Sequence, residues 1–371
     1  MKTIAIFSGY HLPHLGGIER YTDNLSKELV KLGYKVIIIS SDYQFDGNYK
    51  KEEKDIIYFK IPVHKLFVSR YPIPKKNKEF KQIINELDQF KIDRIIVNTR
   101  FHLTSLVGAK YGHKRKIPVF LIEHGSQHLT VDNKILDFFG SIYEHFLTSY
   151  LKYFVDKYYG VSKEACQWQK HFKIESNGVW YNSIYDFSKN YKIKKSDKEI
   201  TILYAGRILK QKGVIELLES FEELNKKYNN IRLNIAGDGN LLQELKNKYK
   251  NKNIKFLGKL NFENLCKQYS RANIFVYAPN WPEGLPTSIL EAGLMECACI
   301  SSPQGGNKEI ILDNKTGLMI NNEKELIKAL ELLINNRDLR VKLSTNLKLK
   351  ILNEFTWEET SKKIVNDLFD K

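Results

Sequence analysis

The sequence predicts an α/β protein of two doubly wound, parallel-sheet domains. Three observations carry this expectation. The chain has 371 residues, more than one hydrophobic core usually supports. It opens with a strand, a glycine-containing turn, a helix and a second strand within about forty residues, which is a βαβ unit. The same plan restarts at Ile200, so the chain reads as two similar halves.

The first strand is the apolar run Thr3 to Phe7. Ile18, Tyr21, Leu25, Leu29 and Leu32 then recur at helical spacing and stop at Gly33, a helix terminator. Lys35–Ser40 follows as the second strand, and Ile56–Val63, Arg94–Asn98 and Val119–Glu123 read as further strands with helices between. In the second half the strands are Ile200–Ala205, Arg232–Ala236, Ile254–Leu257, Ile274–Tyr277 and Cys297–Ser301, with a helix over Val214–Tyr228. The polar, lysine-rich stretch between the halves reads as a linker, which sets expected domains at 1–180 and 200–356 with a linker over 181–199. The last helix, 357–371, carries Trp357, Ile364, Val365, Leu368 and Phe369 on one side and is expected to cross back to the first domain.

Composition narrows the function. Four cysteines without CxxC pairing exclude a disulfide framework and read as core thiols in a reducing, cytoplasmic setting. No apolar run is long enough to span a bilayer. The net charge of +16, +9 over residues 1–180 and +7 over 181–371, calls for an acidic partner. It would admit nucleic acid, but no zinc finger, RNA-recognition signature or basic recognition helix is visible, so no nucleic-acid partner is expected.

Several residues carry chemistry. Glu283 and Glu291 stand eight apart, the first in a Pro-Glu-Gly turn, the second on a helix that can start at Pro286 with Thr287 and Ser288 in its first turn. Such a start presents unpaired N–H groups, which suit a phosphate. Arg207 and Lys212 follow the strand Ile200–Ala205 and would emerge at the ligand edge of the sheet, a donor fork and a point charge for a diphosphate. Gly16 and Gly17 lie between the first strand and its helix, where backbone N–H groups could approach a phosphate or sugar closely. Gly237-Asp238-Gly239 lacks the third glycine of a dinucleotide fingerprint, so a nicotinamide enzyme is not supported. The chain has no Asp-x-Asp and no His/Cys/Asp set at ligand spacing, so no metal and no cofactor are expected.

The Glu283-to-Glu291 spacing with Gly284-Leu285-Pro286 between, together with Gly206-Arg207 and Lys212-Gly213, resembles the retaining GT-B glycosyltransferases of family 4. The resemblance is strongest over 200–310, including Pro303–Glu309, and weaker over the first half, where Gly160-Val161-Ser162 and Asn177-Gly178-Val179 match recurrent segments. It implies two Rossmann-like domains facing a central cleft and metal-independent transfer from a nucleotide-diphosphate sugar, UDP before GDP, to a hydroxyl acceptor. It assigns Glu283 to the sugar hydroxyls, Glu291 to the ribose, and Arg207, Lys212, Gly16, Gly17 and the helix start at Gly284, Leu285 and Ser288 to the diphosphate. His124, at the end of the strand Val119–Glu123, matches the histidine that meets the donor sugar, and Gly237 and Gly239 fall near the base and ribose.

The acceptor is expected to be a lipid-linked or surface-polysaccharide saccharide. Lys60 to Lys81 holds seven basic residues interleaved with Phe67, Tyr71 and Phe80, and Arg70, Lys75, Lys76 and Lys78 in it are candidate contacts to acceptor or anionic membrane. The expected location is therefore the inner face of the plasma membrane. A second stripe, Leu136 to Leu151 at helical spacing, reads as core, because a sheet needs helices to cover it. A GT-B sugar-nucleotide epimerase and, more remotely, a basic nucleic-acid-binding protein are the alternative readings.

Overall fold

The computed structural model describes residues 1–14, 16–42, 45–64, 72–130, 133–281 and 284–370, which form two compact units, Met1–Asn182 with Trp357–Lys371, and Ser183–Thr356.

Among the described residues the first unit has strands β1 (Thr3–Ser8), β2 (Lys35–Asp42), β3 (Lys50–Glu53), β4 (Ile56–His64), β5 (Ile73–Pro74), β6 (Arg94–Asn98), β7 (Val119–Glu123), β8 (Lys157–Gly160) and β9 (Gly178–Val179). Their order is β3-β4-β2-β1-β6-β7-β8-β9, with β5 on β4, and all pairs are parallel except β3 and β5 with β4. The inner strands are apolar throughout because both faces are covered. Ile4 and Ile6 point into one core, Ala5 and Phe7 into the other. The unit's helices are α1 (Gly17–Lys31), α2 (Lys78–Leu87), α3 (Leu103–Arg115), α4 (Lys134–Leu151) and α5 (Lys163–Gln169).

The second unit has β10 (Ile200–Ala205), β11 (Ile231–Ala236), β12 (Ile254–Gly258), β13 (Ile274–Tyr277), β14 (Ala298–Ser301) and β15 (Leu318–Met319), parallel in the order β12-β11-β10-β13-β14-β15. Its helices are α6 (Val214–Asn225), α7 (Leu242–Lys248), α8 (Phe262–Tyr269), α9 (Thr287–Leu294), α10 (Asn307–Ile310), α11 (Glu323–Asn335) and α12 (Arg337–Glu354). The final helix, α13 (Trp357–Phe369), belongs to the first unit. It buries Trp357, Ile364 and Leu368 in the core of β1 and α1, and Asp367 accepts a 2.6 Å hydrogen bond from the indole of Trp180.

The polar stretch expected as a linker behaves differently from Ser183 onward. Lys194 N–H bonds the Ser270 carbonyl at 2.8 Å, and the Lys195 ammonium reaches the carbonyls of Ala272 and Glu296 at 2.6 Å each. One backbone N–H and one ammonium group meeting carbonyls at the ends of neighbouring elements hold this polar segment to the second unit.

In each sheet the strand order reverses once, between β1 and β6 and between β10 and β13. Loops leaving such a pair at its carboxyl end diverge to opposite faces and leave a crevice, where open α/β sheets bind ligands.

Candidate active site

Arg207 and Lys212 leave β10 at the reversal point of the second sheet. Their loop is tied down on three sides. Tyr204 Oη donates to the Arg207 carbonyl at 2.8 Å, and Ile208 N–H reaches the Asp238 carbonyl at 2.9 Å. Asn280, in the segment after β13, donates its N–H to the Gln211 carbonyl at 3.1 Å. Gly213 has φ +74°, and a Cβ there would lie 2.0 Å from the Ala278 carbonyl oxygen, so only glycine lets the loops from β10 and β13 meet. Burial, reinforced by the charge of Arg207, brings the Lys212 ammonium down to about 8. The two cations are thus held close enough to feel each other.

Gly237 and Gly239, expected beside base and ribose, have a packing task. A Cβ on Gly237, φ +143°, would stand 1.8 Å from the Gly206 carbonyl oxygen, and one on Gly239 would stand 2.3 Å from that of Ile208. They allow the loop after β11 to seat the Arg207 loop from below.

Across the reversal, α9 begins at Thr287 with Pro286 as its cap residue and no side-chain cap, one residue later than the sequence suggests. Pro282 and Glu283 lie outside the described residues. Gly284 accepts from Gly306 N–H at 2.9 Å, Leu285 is buried and Ser288 is half-buried. Glu291 is half-buried on α9, and its Oε2 accepts a 3.1 Å hydrogen bond from the buried Tyr269 hydroxyl. Sequence reasoning missed this tyrosine, which lies 22 positions earlier on α8.

In the first unit, α1 starts at Gly17 with Gly16 as its cap. A Cβ on Gly16 would meet the Glu19 carboxylate at 2.3 Å, whereas one on Gly17 would meet nothing within 4 Å. The helix start therefore holds its own acid on the Gly16 side and leaves approach open at Gly17. His124 leaves the end of β7. Its Nε2 lies 2.9 Å from Asn98 Oδ1, and Asn98 in turn donates to Thr22 Oγ1 at 2.8 Å. Burial first, then the charge of His102, lowers His124 to about 3, so the ring is neutral. Tyr21 packs edge-on against it at 4.9 Å between centroids. Beneath it, the buried carboxylate of Glu123 accepts from the N–H groups of His124 and Gly125 at 3.0 and 3.1 Å and faces the buried Arg100 guanidinium at 3.1 Å. Burial raises the Glu123 carboxyl, with Arg100 opposing it.

Of the basic contacts, Arg70 lies outside the described residues. Lys75 is half-buried, while Lys76 and Lys78 are exposed, and Lys78 opens α2 behind an Asn77 cap instead of lying in a loop. Lys76 also lines a groove of about 440 Å³ with an apolar floor, Ile73, Phe80 and Leu106 among it, and a rim carrying Lys110 and Arg115. The stripe on α4 is largely outside. Leu136, Phe139 and Phe146 are 56%, 63% and 76% exposed, while Glu144 and Thr148 are buried with Leu147 and Leu151. The buried side of α4 is mixed, Leu147 and Leu151 packing inward beside Glu144, which reaches Arg100 and His128 at 2.9 Å each, and the rest of the apolar stripe is left to solvent. No helix among the described residues is long and apolar enough to cross a membrane.

Residues 187–350 match the model of glycosyl transferases group 1 and residues 15–185 that of glycosyltransferase family 4. The GalNAc-α-(1→4)-GalNAc-α-(1→3)-diNAcBac-PP-undecaprenol α-1,4-N-acetyl-D-galactosaminyltransferase of Campylobacter jejuni is 30% identical over 90% of this chain and 89% of its own. The α-monoglucosyldiacylglycerol synthase of Acholeplasma laidlawii is 25% identical over 99% and 98%. Among solved structures, Anabaena HepE in complex with UDP superposes with a TM-score of 0.76 at 15% identity, covering 99% of each chain, which shows the GT-B fold. The chain belongs to the group 1 glycosyltransferases, GT-B enzymes that transfer a sugar from a nucleotide sugar to an acceptor.

Proposed function

We propose that the protein transfers a hexose from a UDP-sugar to a hydroxyl of a lipid-linked saccharide, with retention at the anomeric carbon and without a metal in the reaction. The observation that carries this reading is the pairing of Arg207 with Lys212 at the reversal point of the second sheet, where burial and Arg207 hold Lys212 near 8. Breaking the glycosidic bond to the leaving group moves negative charge onto the β-phosphate. Two cations already in place, with the N–H groups at the start of α9, stabilise that charge as it develops. Glu283 holds sugar hydroxyls and Glu291 the ribose, and the family resemblance assigns neutral His124 to the donor sugar. Retention and front-face attack by the acceptor follow the family resemblance.

The lipid-linked acceptor is supported by the two relatives, whose names give a PP-undecaprenol-linked acceptor and a diacylglycerol-linked product. It is also supported by the apolar groove with its Lys76, Lys110 and Arg115 rim, which suits a lipid chain attached to a phosphate. The exposed apolar side of α4 and the basic α2 start suit the cytoplasmic leaflet of a membrane.

The test is a panel of UDP- and GDP-sugars with isoprenyl diphosphate-linked and free saccharide acceptors, in excess EDTA, with the product anomer read by NMR. Turnover confined to a UDP-sugar and a lipid-linked acceptor, with the donor's anomeric configuration, is the expected result. An inverted product, or turnover that requires added Mg2+ or Mn2+, overturns the reading.

A further inference from the structure

Three histidines that are far apart in sequence meet on the first unit. His128 lies in the loop after β7, His145 on α4 and His171 in the turn Lys170–Phe172, and one ring nitrogen of each lies within 4.8 Å of those of the other two. Separations of 17 and 26 residues form no ligand motif, so no spacing pattern in the sequence marks them.

Their geometry is that of a metal site close to assembled. Two imidazole nitrogens on one tetrahedral zinc sit about 3.3 Å apart, given bonds of about 2.0–2.1 Å. Nε2 of His145 and Nε2 of His171 are 3.1 Å apart. His128 has the orienting partner that metal-bound histidines use: its Nδ1 donates to Glu144 Oε2 at 2.9 Å, which leaves the lone pair on Nε2. Glu144 is fully buried and held by Arg100 at 2.9 Å, so this partner is fixed. The Trp168 ring stacks on His171 at 4.7 Å and 6°, which fixes that ring plane too. His145 and His171 are exposed, so an ion has a direct path in and a solvent position for a fourth ligand.

We propose that His128, His145 and His171 bind a divalent transition-metal ion, Zn2+ by preference, which clamps the loop after β7 to α4 and to the turn following α5. Three neutral imidazoles suit borderline ions and are poor ligands for Mg2+ or Ca2+. The clamp acts on structure and takes no part in the transfer step. It meets the loop that carries His124 at His128, four residues on, and a second link runs through Glu144, Arg100 and Glu123, whose carboxylate holds the N–H groups of His124 and Gly125.

The proposal stands apart from the transfer reading, because its test measures the metal. Tag-free protein is stripped with a chelator, dialysed against micromolar Zn2+ and assayed for metal by mass spectrometry, beside the His145→Gln/His171→Gln double variant and the single His145→Gln variant. About one zinc per wild-type chain is expected, with the double variant empty and a rise in unfolding temperature on zinc addition in the wild type alone. Losing one ligand in the single variant should weaken binding by more than the roughly 10–100-fold that losing a ligand's hydrogen-bonded partner costs. Co2+ should give visible d–d absorption without a thiolate charge-transfer band. A wild type that holds no zinc, a double variant that holds as much as the wild type, or a thiolate band overturns the proposal. If circular dichroism shows the double variant unfolded, the single variant, altered only on the exposed side of α4, decides.

Discussion

The Nε2 of His124 and the Oδ1 of Asn98 stand 2.9 Å apart, and this contact decides the tautomer of His124. Asn98 spends its amide N–H on Thr22 Oγ1, and Thr22 gives its own hydroxyl hydrogen to the Ile18 carbonyl at 2.8 Å. Oδ1 of Asn98 is therefore an acceptor, His124 Nε2 carries the hydrogen, and Nδ1 is the acceptor nitrogen, which under the proposed function would take a sugar hydroxyl.

Replacing His124 with Ala should lower kcat/KM about tenfold, the scale of one neutral hydrogen bond. With its pKa near 3, the ring does not ionise in the working range. The pH profiles of wild type and variant should therefore run parallel from pH 5 to 8. A limb near neutrality that vanishes in the variant would show that His124 titrates during turnover.

Lys212 makes the opposite prediction. Its folded value near 8 lies below the ordinary lysine value of 10.5, and a diphosphate would raise it again. Binding then takes up a proton above pH 8, so affinity for UDP should fall as pH rises through about 8, by up to tenfold per unit. Calorimetry between pH 7 and 10 measures this, and Lys212→Arg should flatten the curve. Arg207→Ala should weaken UDP binding by roughly 1.5–3 kcal/mol and move the fall to higher pH, because the repelling charge is gone.

The two glutamates should separate in assay. Glu283→Gln should reduce turnover about a hundredfold while UDP affinity stays within about threefold, because a charge-assisted contact made in the transition state is lost. Glu291→Ala should weaken nucleotide binding and also destabilise the second unit by about 1–3 kcal/mol, since the Tyr269 hydroxyl loses the acceptor 3.1 Å away. Adding Tyr269→Phe should restore stability in urea denaturation without restoring nucleotide binding. Unchanged turnover in Glu283→Gln would remove that residue from the site.

Membrane docking should depend on both surfaces of the first unit. Phe139→Glu/Phe146→Glu removes two exposed aromatic anchors, each contributing about 1.5–3 kcal/mol when buried. The Lys75/Lys76/Lys78→Glu triple removes charges contributing about 1 kcal/mol each at an anionic surface. Wild type should float with anionic liposomes at low salt, the aromatic variant should stay in solution at any salt, and the lysine variant should stay in solution even at low salt. Wild-type protein that remains in solution under all conditions would point to a soluble acceptor.

The sequence by itself determined the parts of this protein that depend on neighbours along the chain. Apolar runs became strands, helical spacing ended at Gly33 as its terminator requires, and Arg207 and Lys212 followed β10 because a residue's place at a strand end is a local property. Tertiary structure decided what depends on distant residues. The spacing along α4 marked an apolar stripe, yet which side faces inward was set by the buried Arg100, whose charge had to be met by Glu144. The depressed Lys212, the tasks of Gly237 and Gly239, the Tyr269 contact to Glu291 and the meeting of His128, His145 and His171 share that cause. Desolvation, close approach and side-chain convergence come from surrounding elements brought together by folding, and sequence spacing carries no record of them.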